Sequence, residues 1–235
     1  MAKHTLSLRI AMDVDSAQGF ALTRPLLRGC SFVWRKVVNI LIASVGGQGG
    51  LTLARVLAEA AVMSGWSVRT GETLGMAQRY GSVVSYVRLG LGVEVRSPTF
   101  TPGEADYLLG LELFESLRNI HYLSENGIAI IADEYKPPLQ ASITPTIRTR
   151  LETLDKLKSS IPSAVIIPAR KIAVEAGNPR ALNMVILGGF NALSRLFTDE
   201  TITYAIKKTL PEKVAATSLE AYRKGYEYVH RMLFR

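Results

Sequence analysis

The chain has 235 residues, 48% of them hydrophobic, which suits one large α/β domain with a well-buried core and excludes a disordered protein. The formal net charge is +8, but Lys3, Arg9, Arg24, Arg28, Arg35 and Lys36 against Asp13 and Asp15 place half of that excess in the first 36 positions. The remainder shows no dense Lys/Arg run, no aromatic stacking motif and no zinc spacing, so nucleic-acid binding is not expected. The single cysteine, Cys30, excludes an internal disulfide and an iron–sulfur cluster, which needs about four thiolates, and no apolar run is long enough to span a bilayer. A cytoplasmic protein away from the membrane is the expectation.

Residues 1–34 have mixed composition and no clear period, and Gly29-Cys30-Ser31 separates them from the first strand. They read as an appended segment, open between a disordered tail, an upstream translation start and an extra strand, ahead of a single α/β domain over 35–235. Val37, Val38, Ile40, Leu41, Ile42, Ala43 and Val45 then form a nearly continuous apolar run, as expected of a central strand covered on both faces. Gly46, Gly47, Gln48, Gly49 and Gly50 come next, and a long Ala- and Leu-rich helix opens behind them. Amides at such a helix start are unpaired, which makes the loop a potential anion cradle. The dinucleotide pattern Gly-x-Gly-x-x-Gly is matched only in part, because Ser44 stands at its first position; Glu72 lies at about the spacing of a ribose-binding acid without closing a second strand cleanly.

A turn at Gly65 leads to a short strand ending near Glu72. The next stretch, Gly71 to Ser82, mixes three glycines with Glu72, Met76, Gln78, Arg79 and Tyr80, too polar for core and too particular for a plain linker. Gln78 and Arg79 offer an amide and a planar fork of donors to a carboxylate, phosphate or carbonyl; an interface loop is the alternative.

Val83 to Arg88 alternates as a strand, and Gly90-Leu91-Gly92 predicts a β-hairpin into Val93–Arg96. Another buried strand begins at Ala105. It is followed by an amphipathic helix from Glu112 to about Asn126, where Glu112 and Glu115 favour the helix dipole. Strands over 127–132 and 163–168 enclose a prolyl stretch and a charged helix over 150–158. From Arg170 the chain reads helical, in segments 170–176, 183–197, 201–208 and 211–232, and the paired Gly188-Gly189 inside the second predicts close backbone contact. Alternating strands and helices give a three-layer, Rossmann-like α/β fold, with a mostly parallel central sheet, a β-hairpin and a helical C-terminal part.

Gly46-Gly47-Gln48-Gly49, then Glu72-x-x-Gly75-Met76-x-Gln78-Arg79-x-Gly81-Ser82-Val83, Asn183-Met184-Val185-x-Leu187-Gly188 and Leu219-Glu220-Ala221-Tyr222-x-x-Gly225 resemble, in order and spacing, the gamma-type domain of the 2-oxoacid:ferredoxin oxidoreductases. The likeness covers about residues 37–230 and is nearest to the indolepyruvate branch. It departs from the usual family residues at Ser44 (Gly), Leu74 (His), Tyr80 (Gly) and Ser218 (Asn). The resemblance implies the small subunit of a thiamine diphosphate enzyme that decarboxylates a 2-oxoacid oxidatively, passes electrons to ferredoxin and yields an acyl-coenzyme A. It implies that thiamine diphosphate, magnesium and iron–sulfur clusters belong to a larger partner subunit. Coenzyme A is then a co-substrate, and this chain covers the partner's active site. The candidate cofactor-binding or interface residues are Gly46, Gly47, Gln48, Gly49, Glu72, Gly75, Met76, Gln78, Arg79 and Gly81, with no catalytic residue assigned and no metal ligand. An autonomous nucleotide-binding oxidoreductase and a purely structural or regulatory subunit remain alternatives.

Overall fold

The computed structural model describes residues 36–75, 81–136 and 149–233. Its centre is β1 (Val37–Val45), with eight of nine residues buried. Ile40 and Ile42 face one layer of helices while Leu41 and Ala43 face the other, which is why the run is apolar at successive positions rather than at alternate ones. Around it lie β2 (Ser67–Leu74), β3 (Ser82–Gly90), β4 (Ala105–Gly110), β5 (Leu123–Ala132) and β6 (Val165–Ile167), in the order β2-β3-β1-β4-β5-β6. β1, β4, β5 and β6 pair in parallel, whereas β3 pairs antiparallel with both β1 and β2. Five strands therefore run one way and β3 alone runs the other.

One face of the sheet carries α1 (Gly50–Met63), α4 (Ala169–Glu175), α5 (Leu182–Ser194), α6 (Asp199–Thr209) and α7 (Glu212–Leu233); the other carries α2 (Leu113–Arg118) and α3 (Arg150–Ser160). Twelve of the thirteen residues of α5 are buried, so it is a core helix, apolar except for Asn183, Asn191 and Ser194. Its Gly188 lies against the Tyr222 carbonyl of α7, and Gly225 of α7 against the Val185 carbonyl of α5, so the two backbones touch where a side chain would separate them.

Two expected elements differ. Residues 93–96 are not a strand, and the hairpin is β2–β3. β3 has both edges filled by β1 and β2, which leaves no place beside it for a third partner. The chain after it folds back instead, with the Val93 carbonyl against Gly90 and Val95 buried. The helix expected from Glu112 to about Asn126 stops at Arg118; a 3-10 turn at Ile120–Tyr122 comes after it, and Leu123–Asn126 already belong to β5. Those four residues are partly or fully exposed, so polarity alone gave no strand signal.

Candidate functional site

β1 connects through α1 to β2 on one side, while β4 connects through α2 to β5 on the other, on the opposite face. The direction of winding reverses between β1 and β4. In open α/β sheets the crevice at that switch, beyond the carboxyl ends of the strands, is where ligands sit.

Here the crevice is spanned by Gln48. Its Oε1 accepts from the Val45 amide (2.8 Å) and its Nε2 donates to the Leu111 carbonyl (3.1 Å), with only 3% of the residue exposed. The loop after β1 is thereby pinned to the loop after β4, and both ends of the amide are engaged. Gly47 (φ 93°) and Gly49 (φ 84°) take the left-handed conformation that lets the chain turn inward at Gln48, which side chains rarely adopt. Gly49 also abuts Asn183, whose Nδ2 donates to the Gly49 carbonyl (3.0 Å) and whose Oδ1 accepts from the Met184 amide (3.0 Å). The N-termini of α1 and α5 consequently meet; neither has a side-chain cap or an acidic residue in its first turn. Ser44 lies beneath Gly50, its Oγ donating to the Val83 carbonyl (3.1 Å).

The β2–β3 connection leaves from the same edge. The Gly46 amide donates to the Gly81 carbonyl (2.9 Å), and the Gly75 amide to the Ser82 carbonyl (2.8 Å), so the ends of the segment are fixed beside the glycine loop. Of the expected site residues, Gly46, Gly47, Gln48, Gly49, Gly75 and Gly81 thus line one edge. Glu72 does not join them: it is exposed on the outermost strand, opposite Ser85. Met76, Gln78 and Arg79 lie outside the described residues.

Further along the edge is an acidic row whose members sequence patterning assigns only to helix polarity or passes over. Glu112 is wholly buried as the N-cap of α2, accepting from the Glu115 amide (2.6 Å) and, across the gap to the next loop, from the Lys136 amide (3.0 Å). Burial, the largest effect, and then the neighbouring Glu115 charge push its carboxyl above the usual range, against the bonds from backbone amides. Glu115 accepts from Ser82 Oγ (2.5 Å) and from Arg118 (3.1 Å). Asp133 and Glu134, directly after β5, pair with Arg150 (2.6 Å) and Arg170 (2.7 Å). An acidic dipeptide ending an apolar strand is the sequence signal that could have found these two. Among the described residues no three His, Cys, Asp or Glu side chains gather as metal ligands, and no helix is long and apolar enough to cross a membrane.

The family model for pyruvate ferredoxin/flavodoxin oxidoreductase matches residues 39–228. The chain belongs to the pyruvate ferredoxin/flavodoxin oxidoreductase family. Within it, the chain is 35% identical over 204 residues to the indolepyruvate oxidoreductase subunit IorB of Thermococcus kodakarensis, an alignment covering 84% of this chain and 98% of that subunit. The same fold is found in the gamma subunit of a keto/oxoacid ferredoxin oxidoreductase from Geobacter sulfurreducens (TM-score 0.60, 20% identity, 82% of this chain and 98% of that one). It recurs within the longer 2-oxoglutarate:ferredoxin oxidoreductase of Magnetococcus marinus (TM-score 0.62, 20% identity, 85% of this chain and 32% of that one). The chain is a gamma-type, small subunit of a 2-oxoacid:ferredoxin oxidoreductase and works with partner subunits.

Proposed function

We propose that the 2-oxoacid is indolepyruvate or a related aryl pyruvate, decarboxylated oxidatively to its acyl-coenzyme A with electrons delivered to ferredoxin. The observation carrying this reading is the likeness to the indolepyruvate oxidoreductase subunit along nearly its whole length. Thiamine diphosphate, magnesium and the iron–sulfur clusters reside on the larger subunit, since this sequence has one cysteine and no Gly-Asp-Gly motif. Coenzyme A is the co-substrate; the Magnetococcus relative is described with coenzyme A and succinyl-CoA bound.

In this reading the chain's contribution is its C-terminal sheet edge. The starts of α1 and α5 have no N-cap side chain and no acidic residue on their own first turns, which leaves positive dipole ends there, with the Met184 amide of α5 already held by Asn183 Oδ1. They suit a cofactor phosphate or a carboxylate of the partner, with Gln78 and Arg79 supplying further donors. Gln48 and Glu112 hold the loops in place and are positioning residues. An autonomous dinucleotide site is disfavoured because Ser44 stands at the first position of the glycine pattern and Glu72 lies exposed on the outermost strand, opposite Ser85 rather than beside β1.

The test is reconstitution. The purified chain is expected to be colourless and inactive, and indolepyruvate-dependent reduction of ferredoxin is expected only with the larger subunit present. Turnover by this chain alone, or stoichiometric dinucleotide binding to it, overturns the proposal.

A further inference from the structure

The pairing of β4 with β5 is interrupted once. From Ala105 to Tyr107 β4 advances two positions, while β5 advances five, from Leu123 to Ile128. Residues 124–127 therefore leave the ladder as a bulge, and β6 pairs only further on, from Ile130. Glu125 and Asn126 are exposed there, whereas Gly127 is buried. A Cβ at Gly127 would lie 2.6 Å from the Leu123 side chain and 2.8 Å from the Ala105 carbonyl, so closing the bulge demands glycine at that position. Packing makes no such demand on the exposed Asn126.

The chain has six asparagines, and the other five are restrained. Asn39, Asn119, Asn183 and Asn191 are buried, and their side-chain amides donate to the carbonyls of Glu104 (3.0 Å), Glu115 (2.8 Å), Gly49 (3.0 Å) and Phe197 (3.1 Å). Each of these four is followed by a residue with a side chain: Ile40, Ile120, Met184 and Ala192. Asn178 donates to Thr217 (3.3 Å) and precedes Pro179, which has no N–H. Asn126 alone joins an exposed side chain to a following glycine.

We infer that Asn126 is a site of spontaneous covalent modification, deamidation through a cyclic imide formed with Gly127. Water or hydroxide takes the proton of the Gly127 N–H, and that nitrogen forms a bond to Asn126 Cγ. The Cγ–Nδ2 bond breaks, and the side-chain nitrogen leaves as ammonia with a proton from water. Water then adds to one of the two ring carbonyls and the ring C–N bond at that carbon breaks. The result is an aspartyl or an isoaspartyl residue at position 126, with no oxidant or reductant needed. Residues held in a regular ladder have a fixed backbone, whereas the bulge lies out of register and lets the Gly127 nitrogen turn onto Cγ, with no Cβ in its way. The product carries a new carboxylate beside Glu125. Its isoaspartyl form lengthens the backbone by one carbon before the ladder resumes at Ile128.

Mass spectrometry of the full-length chain, aged in its folded state at mildly alkaline pH, tests this. Trypsin cuts after Arg118, so Asn119 and Asn126 fall on one peptide and Asn119 serves as an internal control. Asn126 is expected to gain about 1 Da, as an amide NH2 is exchanged for OH, while Asn119 and the four other asparagines stay unchanged. The gain should quicken as pH rises, and the aged chain should accept a labelled methyl group from an isoaspartyl methyltransferase. Asn126→Gln, whose longer side chain closes a larger ring, should abolish both signals, and at an exposed position it should fold as the wild type does. A folded chain that keeps Asn126, whether or not the urea-unfolded chain loses it, overturns the inference. So does a gain shared with the buried asparagines, a product with no isoaspartyl form, or signals that persist in Asn126→Gln.

Discussion

Gln48 shows how one side chain turns a glycine loop into a fixed edge. Replacing it with Ala leaves the Val45 amide and the Leu111 carbonyl buried without their partner, at about 1–3 kcal/mol each. Urea denaturation of Gln48→Ala is expected to show a loss of about 2–4 kcal/mol, and a loss under about 1 kcal/mol would show that the tie does not hold the loop. Glu112 carries a pH signature instead. Its folded-state pKa is raised, so the folded protein holds the proton more tightly than the unfolded chain does. The resulting stability is fully present below the unfolded value, near about 4.3, and is lost as pH rises through the raised folded value. Melting temperature measured across that window should fall with pH more steeply for the wild type than for Glu112→Gln, which cannot titrate; parallel curves would remove Glu112 as the cause.

Helices α5 and α7 pose a conflict between local propensity and packing. Alanine is the better helix former by about 1 kcal/mol, so propensity predicts that Gly188→Ala or Gly225→Ala stabilises. Packing predicts the reverse, because each new methyl would meet the facing helix's backbone, a cost of roughly 1–3 kcal/mol or more where backbone must move. We expect packing to dominate and both substitutions to lower the melting temperature; a rise in either would mean the helices separate without penalty. The close contact itself was legible in the paired glycines, as β1 was in its unbroken apolar run and the helical C-terminal part in its period. Strand partnership was not. Val83–Arg88 and Val93–Arg96 are both rich in valine, and nothing local to either says that β3 takes β1 and β2 as neighbours. The same limit applies to the site. The glycine loop and the ends of the β2–β3 connection were recognisable as motifs, but Gln48 reads as a ligand-facing amide until the Leu111 carbonyl, 63 positions away, is seen to accept its hydrogen bond. Glu112 likewise reads as a surface helix start until the Lys136 amide is found on it.

At the scale of the molecule, the topology brings several loops to one edge by giving five strands the same direction and reversing the winding at β1 and β4. The bond from Gly46 to Gly81 and that from Gly75 to Ser82 then fix where the 76–80 segment leaves and re-enters the body. Arg79 belongs to that segment and lies outside the described residues; the proposed role for it is contact with an anion at this edge. If it contacts a cofactor phosphate or a partner carboxylate in the assembled enzyme, losing that charged hydrogen bond costs about 1.5–3 kcal/mol, or at least a factor of about ten. Arg79→Ala should accordingly lower ferredoxin reduction or assembly of the complex roughly tenfold or more, with little change in the melting temperature of the isolated chain. A residue serving only the fold would give the opposite pattern, an unstable subunit whose surviving complexes turn over normally. Measuring both quantities on one preparation separates the two roles, and Arg79→Lys refines the result. A bidentate contact is not restored by an ammonium, whereas simple charge attraction is.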